Sequence, residues 1–186
     1  FHAAEEVADP AGRATTFMLL AETQAQLNFT LEAQHSASQA MAAAQKIAEP
    51  EPKAIALGRA GQALASSGEK AKAAEAVAEA RKLLPSVATP EGKVLALCEI
   101  AAAQDKSGEA AAADATLAEA KATAAAMPNS PGKSKSLADI ALKEAVLGRR
   151  EASNATFAEA TAAARAIEDA RARTYALADI ATRLTL

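Results

Sequence analysis

Tryptophan is absent, cysteine and tyrosine occur once each, histidine occurs twice, and aromatic residues make up only 3% of the 186-residue chain. Each shortage closes off a class of protein. The lone Cys98 cannot form an internal disulfide and says little about compartment. His2 and His35 have no His, Cys or Glu at zinc-motif spacing, so no metal site is expected and both read as surface or satisfied side chains. Basic charge is not in excess. The net charge is −3 and the isoelectric point about 5.5, which argues against a nucleic-acid backbone as main ligand. No apolar run approaches a membrane span. No run alternates Val, Ile, Thr and aromatics as a half-buried strand would. The chain opens with Phe1, not Met, and no signal peptide is visible, so it reads as soluble and as either a processed, exported protein or one cut from a longer chain, its compartment undetermined.

What the chain has instead is alanine, which supplies most of its 51% apolar share. Alanine is the best helix former and buries little area per residue. An alanine core means helices packed backbone to backbone, without a thick filling of large side chains.

The sequence repeats itself every 40 residues. Gly68, Gly108 and Gly148 recur at that spacing, and the same register reaches Asn28, the usual substitute for Gly in the left-handed conformation after a helix. Phe17, Leu57, Leu97, Leu137 and Leu177 form one apolar column, and Leu20, Ala60, Ile100, Ile140 and Ile180 another. After the glycine turn come Ala33, Ala73, Ala113 and Ser153, then Ala37, Val77, Leu117 and Phe157, then Ala40, Ala80, Ala120 and Ala160. Val7, Ile47, Val87, Met127 and Ile167 close each period. Columns three and four residues apart lie on one helical face.

Each period therefore predicts a helix A, a glycine turn, a helix B and a linker. Pro10, Pro50, Pro90 and Pro131 start the A helices, with Asp9, Thr89 and Ser130 as N-caps before three of them. Helix B starts near Glu69 or Glu109. The units run approximately 9–48, 49–88, 89–128 and 129–168, with a half unit at 169–186, all in one domain over 1–186. The segment before Pro10 aligns with the end of a helix B, so both ends are half units.

These columns resemble the tetratricopeptide repeat. The second unit carries the pattern as Leu57, Ala60, Gly61, Leu64, Gly68, Ala73, Val77, Ala80 and Pro85. The third carries Leu97, Ile100, Ala101, Gly108, Ala113, Leu117 and Ala120, and the fourth Leu137, Ile140, Ala141, Gly148, Phe157 and Ala160. The family period is about 34 residues, and the longer one here adds its residues at the end of helix B and in the linker. The resemblance implies an all-α fold, a right-handed superhelical solenoid of about four helix-turn-helix units plus a C-terminal single helix. It also implies that helix A lines a concave groove in which a partner's peptide or helix lies.

Catalytic patterns are missing. Gly132-Lys133-Ser134 resembles the end of a phosphate-binding loop, but Met127 stands where the upstream glycine belongs. There is no Gly-x-Ser-x-Gly elbow, no dinucleotide fingerprint, and Cys98 reads as a buried thiol. Glu79, Glu119 and Glu159 share a column with Gln39 and read as a solvated face. Asn28-Phe29-Thr30 and Asn154-Ala155-Thr156 match a glycosylation acceptor pattern that is common by chance. No enzyme activity and no cofactor are expected.

In the register implied by the resemblance, the groove positions are those of helix A offset from its core columns. They include Met18, Ile55, Gln62, Leu95, Cys98, Asp105, Lys135, Leu142 and Tyr175. This set is predicted to form an exposed, fairly apolar strip suited to an amphipathic helix or extended apolar peptide. It lacks the basic grouping of family members that clamp a terminal carboxylate. A second feature is a basic column, Arg13, Lys53, Lys93, Lys133 and Arg173, in the first turn of each helix A. Two readings stand for it: each cation reaches the C-terminal carbonyls of the preceding helix B, or the column forms a positive edge for an acidic partner. The function expected is a protein-binding scaffold with a protein or peptide partner. The alternative is a structural solenoid that self-associates through its half-unit ends.

Overall fold

Proline at the first helical position starts the A helices where the sequence places it. The computed structural model describes residues 2–184, and for His2 and Ala3 the backbone alone; the reading of the His2 side chain lies outside the described residues. After a short α1 (His2–Glu5) the A/B pairs follow in order: α2 (Pro10–Gln26) with α3 (Thr30–Gln45), and α4 (Pro50–Ser66) with α5 (Lys70–Leu83). Then come α6 (Pro90–Lys106) with α7 (Ala110–Ala125), α8 (Pro131–Val146) with α9 (Arg150–Arg165), and finally α10 (Ala170–Arg183). A 3-10 turn, Leu84–Ser86, extends α5, and no strand occurs among the described residues. Asp9, Thr89 and Ser130 accept backbone N–H bonds from Gly12, Gly92 and Lys133, and Asp169 does the same for Ala172. Those carboxylates and hydroxyls satisfy donors that a helix start leaves unpaired.

The turns within each pair are alike. Gly68 and Gly108 have φ of +90°, Gly148 +80° and Asn28 +61°. The residue after each donates its N–H five residues back: Phe29 to Gln24, Glu69 to Leu64, Glu109 to Gln104 and Arg149 to Glu144, at 2.8–2.9 Å. This is the Schellman arrangement, which needs a left-handed residue. A side chain at Gly108 would meet only Lys70 Nζ, at 3.7 Å, so space is not the constraint. Gly108→Val is expected to lose about 1–3 kcal/mol through the backbone alone, since β-branched residues tolerate positive φ badly. Gly108→Asn, copying Asn28, is expected to lose much less. Urea denaturation of the two variants separates a φ penalty from a packing one.

The core is the alanine column set. Ala33, Ala73, Ala113, Ala40, Ala80, Ala120 and Ala160 are fully buried beside Leu57, Leu97, Ile100 and Ile140. Val77, Val7 and Val87 are only half-buried. Each helix B packs on its own helix A and on the next one, and each helix A packs on the A helices before and after it. The α4–α6 crossing is the most extensive A–A contact. A Cβ on Gly58 would lie 2.8 Å from Glu99 Cβ and 3.1 Å from the Ile100 backbone nitrogen, and one on Gly61 3.1 Å from Ala103 Cβ. The A helices also interlock at their N-termini. Glu51 lies over Gly92 and accepts a 2.6 Å bond from Thr89, and Glu91 lies over Gly132. A carboxylate at a helix start is favoured by the helix dipole.

Candidate functional site

The A-helix face was expected to expose an apolar strip, and its composition is different. Close A–A packing draws the apolar candidates inward: Met18 is 6% exposed and Cys98 2%, and Ile55, Leu95 and Leu142 are half-buried. Burial pushes the Cys98 thiol up to about 12, helped by the nearby Glu99, Asp139 and Glu144 carboxylates and opposed by Lys143. A thiol held so firmly protonated is a small apolar side chain. Tyr175 is exposed on α10, with the Arg171 guanidinium 5.7 Å from its ring centroid. Lys135 is exposed and pairs with Asp139 at 2.9 Å. Asp105 pairs with Arg149 at 2.6 Å.

What fills the face instead is a charged lattice that joins successive units. Glu99 is its centre. Lys143 Nζ donates to Glu99 Oε2 at 2.9 Å, Gln62 Nε2 to the same oxygen at 2.7 Å, and Arg59 Nε to Oε1 at 3.2 Å. Burial alone would raise the Glu99 carboxyl. The Lys143 charge and the three donors outweigh it and hold the group below the ordinary carboxylate range. One unit on, Asp139 meets Arg183 of the next A helix in the same way and Lys135 of its own helix. Glu99 to Lys143 and Asp139 to Arg183 both span 44 residues, one period plus one helical turn.

At the N-terminal end this lattice borders a cleft of about 230 Å3 lined by Thr15, Met18, Leu19, Glu22, Arg59, Gln62 and Glu99. Its walls come from α2 and α6, with α4 between them, and Glu22 reaches Lys106 at 4.0 Å across it. Leu19 is 61% exposed at the rim. Of the candidate residues, Met18 and Gln62 meet here, whereas Asp105, Lys135, Leu142 and Tyr175 do not line it. Leu19, Arg59 and Glu99 escaped the sequence reading. Their signal was in the columns: Leu19, Arg59, Glu99, Asp139 and Asp179 share one register position. That position places a leucine and charges of both signs where an ordinary solvated face would be uniform.

The basic column points inward at four of its five members. Arg13 Nε donates to Val7 O at 2.7 Å and Lys53 Nζ to Gln45 O at 2.7 Å. Lys133 Nζ donates to Ala125 O and Met127 O at 2.9 and 3.0 Å, and Arg173 to Ile167 O at 2.9 Å. The cations therefore close the C-terminal carbonyls of the preceding segment, which offsets their unfavourable place at a helix start. Lys93 makes no such bond among the described residues; it follows the unit whose helix B ends in the 3-10 turn. A continuous positive edge is thus not available.

Among the described residues no three His, Cys, Asp or Glu side chains gather in a way that suits a metal ion, and no helix is long and apolar enough to cross a membrane. No family model matches the chain, and no curated protein matches it. Among solved structures, the crystal structure of Ton1535 from Thermococcus onnurineus NA1 is similar to it over 98% of this chain and 74% of that one, at 16% identity and a TM-score of 0.46.

Proposed function

We propose that this chain is a tetratricopeptide-like protein-binding scaffold, with a right-handed superhelical course, whose A-helix face takes a peptide or helix of a partner protein. The observation that carries the reading is the cleft in which Met18 and Leu19 meet Arg59, Gln62 and Glu99. Three successive units contribute to it, as expected of a groove built by stacking. Leu19 offers exposed apolar area beside Met18 for one apolar side chain of the ligand. Arg59, whose side chain is 48% exposed, and Glu22 at the rim set orientation more than affinity. Glu99 is saturated by its three donors, so it organises the wall and does not itself need a ligand. A binding role of this kind calls for no cofactor or metal.

A test starts from a displayed peptide library panned on the intact protein. Selected peptides are titrated against the wild type, Leu19→Glu, and Phe29→Glu as a distant control. Leu19→Glu is expected to weaken binding at least about tenfold, the size of losing one buried leucine contact. Peptides that bind Leu19→Glu as tightly as the wild type would sink the reading.

A second reading, self-association, is favoured by one feature. In the first turn Leu27, Phe29 and Leu31 are exposed, where the equivalents of Phe29 in the other three units, Glu69, Glu109 and Arg149, are charged. If the wild type sediments as a dimer and Phe29→Glu as a monomer, that turn is the interface and the self-associating reading prevails.

A further inference from the structure

In three units the A and B helices share one polar pair, buried in two of them and half-buried at Gln24, at positions 12 residues apart. Ser36 Oγ donates to Gln24 Oε1 at 2.7 Å, and Thr116 Oγ1 to Gln104 Oε1 at 2.7 Å. In the second unit both members are apolar and buried, Leu64 and Ala76. The two positions therefore change together: both polar or both apolar. In the fourth unit the pair is Thr156 with Glu144, and the acceptor is an acid where the other polar units have an amide.

Glu144 is a poor place for an anion. It is 6% exposed, and its Oε2 is buried with no hydrogen-bond partner. It lies in the last turn of α8, where the helix dipole disfavours negative charge. The groups facing it are few. From α9 come the Thr156 hydroxyl and the Glu159 carboxylate, and from α7 comes Lys121. From α6 comes the Cys98 thiol, which burial keeps neutral. Lys121 is already committed, at 2.8 Å to Glu159 and 3.2 Å to Thr156 Oγ1. Burial pushes the Glu144 carboxyl above the ordinary range, and Glu159 pushes it further, while Thr156 and Lys121 pull it back less strongly.

We propose that Glu144 is held as a neutral carboxylic acid in the folded chain, standing in for the glutamine of the other polar units, and that its ionisation loosens the α8–α9 joint as pH rises. A neutral acid has the shape and the acceptor of Gln104, so Thr156 binds it as Thr116 binds Gln104. An anion there carries a buried charge with one oxygen unsatisfied. The sign follows from linkage. A carboxyl raised on folding stabilises fully below its unfolded value, and that contribution is lost as pH rises through the folded value.

The experiment compares the wild type, Glu144→Gln and the double variant Glu144→Leu with Thr156→Ala, which copies Leu64 and Ala76. Urea midpoints are measured from about pH 4 to about pH 9, bracketing the ordinary and raised carboxyl ranges. The difference between wild type and each variant cancels the titration of groups common to all three proteins. The wild-type unfolding constant is expected to rise by up to about tenfold per pH unit between the unfolded carboxyl value and the raised folded value of Glu144 and to level off above it, and neither variant is expected to show that limb. Carbon-13 shifts of the Glu144 carboxyl are expected to titrate above those of the other glutamates. A Glu144 carboxyl titrating near its unfolded value of about 4.3, or a pH limb equal in wild type and Glu144→Gln, overturns the proposal.

Discussion

Gly58→Val is expected to cost about 3 kcal/mol, at the upper end of what overpacking does to a tight core. The Gly58 Cα faces α6, and a new Cβ meets Glu99 Cβ at 2.8 Å and the Glu99–Ile100 backbone at 3.1 Å. The first of these is a distance that real Cβ atoms essentially never reach, and the obstacle is a helix backbone, which no rotamer change can move aside. The helices must separate, and separation opens the column in which Ala96, Ala103 and Cys98 are buried. Gly61→Ala meets Ala103 Cβ at 3.1 Å and is expected to be milder. Denaturation midpoints of the two variants check the order. A Gly58→Val protein as stable as the wild type would mean that α4 and α6 do not pack as closely as described. The same substitution displaces Glu99 and is expected to disturb the cleft as well as the fold.

Lys143→Met is the second large effect. Glu99 and Lys143 side chains are 12% and 20% exposed, so removing the cation leaves a largely buried carboxylate with only Arg59 and Gln62 to answer it. Loss of one partner of a fully buried pair costs about 3–5 kcal/mol, and the partners that remain reduce this to about 2 kcal/mol. The acid limb moves with it. Because the Glu99 carboxyl is held low in the folded protein, its contribution is present above the unfolded value and is lost as pH falls through the folded one. With Lys143 gone the folded value rises, and acid loss of structure is expected to begin at higher pH. Circular dichroism followed through acid titration reads this directly. An unchanged acid midpoint would show that Arg59 alone holds Glu99.

Glu99 and Glu144 show how little of a titration is legible in residue type. Both are glutamates in the A helices, five columns apart, and both are largely buried. One has three donors converging on it from the units before and after its own and is held low. The other has a hydroxyl on one oxygen, nothing on the second, and is pushed up. The difference lies in partners 37 to 44 residues away, which no local pattern specifies.

The candidate groove was legible in the same partial way. Of the offset positions of helix A, Met18 and Gln62 meet in the cleft. The expectation of an exposed apolar strip failed because Gly58, Gly61 and the alanines let neighbouring A helices close over Cys98 and around Leu95 and Leu142. The basic column was visible as a column, but its direction was not. Whether Lys53 or Lys133 faces a partner or a helix end depends on the preceding linker, whose path brings Gln45 and Met127 carbonyls within reach.

By itself the sequence determined the all-helical class, the 40-residue alternation, the helix starts and the turns. All of these rest on interactions within about five residues: proline at the first helical position, capping side chains, and a left-handed residue at positions 28, 68, 108 and 148. Only the tertiary structure decided which residues of helix A meet solvent, which carboxylate is held charged and which is not, and where a cleft opens. Those outcomes depend on the distance between helices a full period apart. That distance is set by the sum of small side chains across each crossing, a quantity that neither partner helix encodes alone.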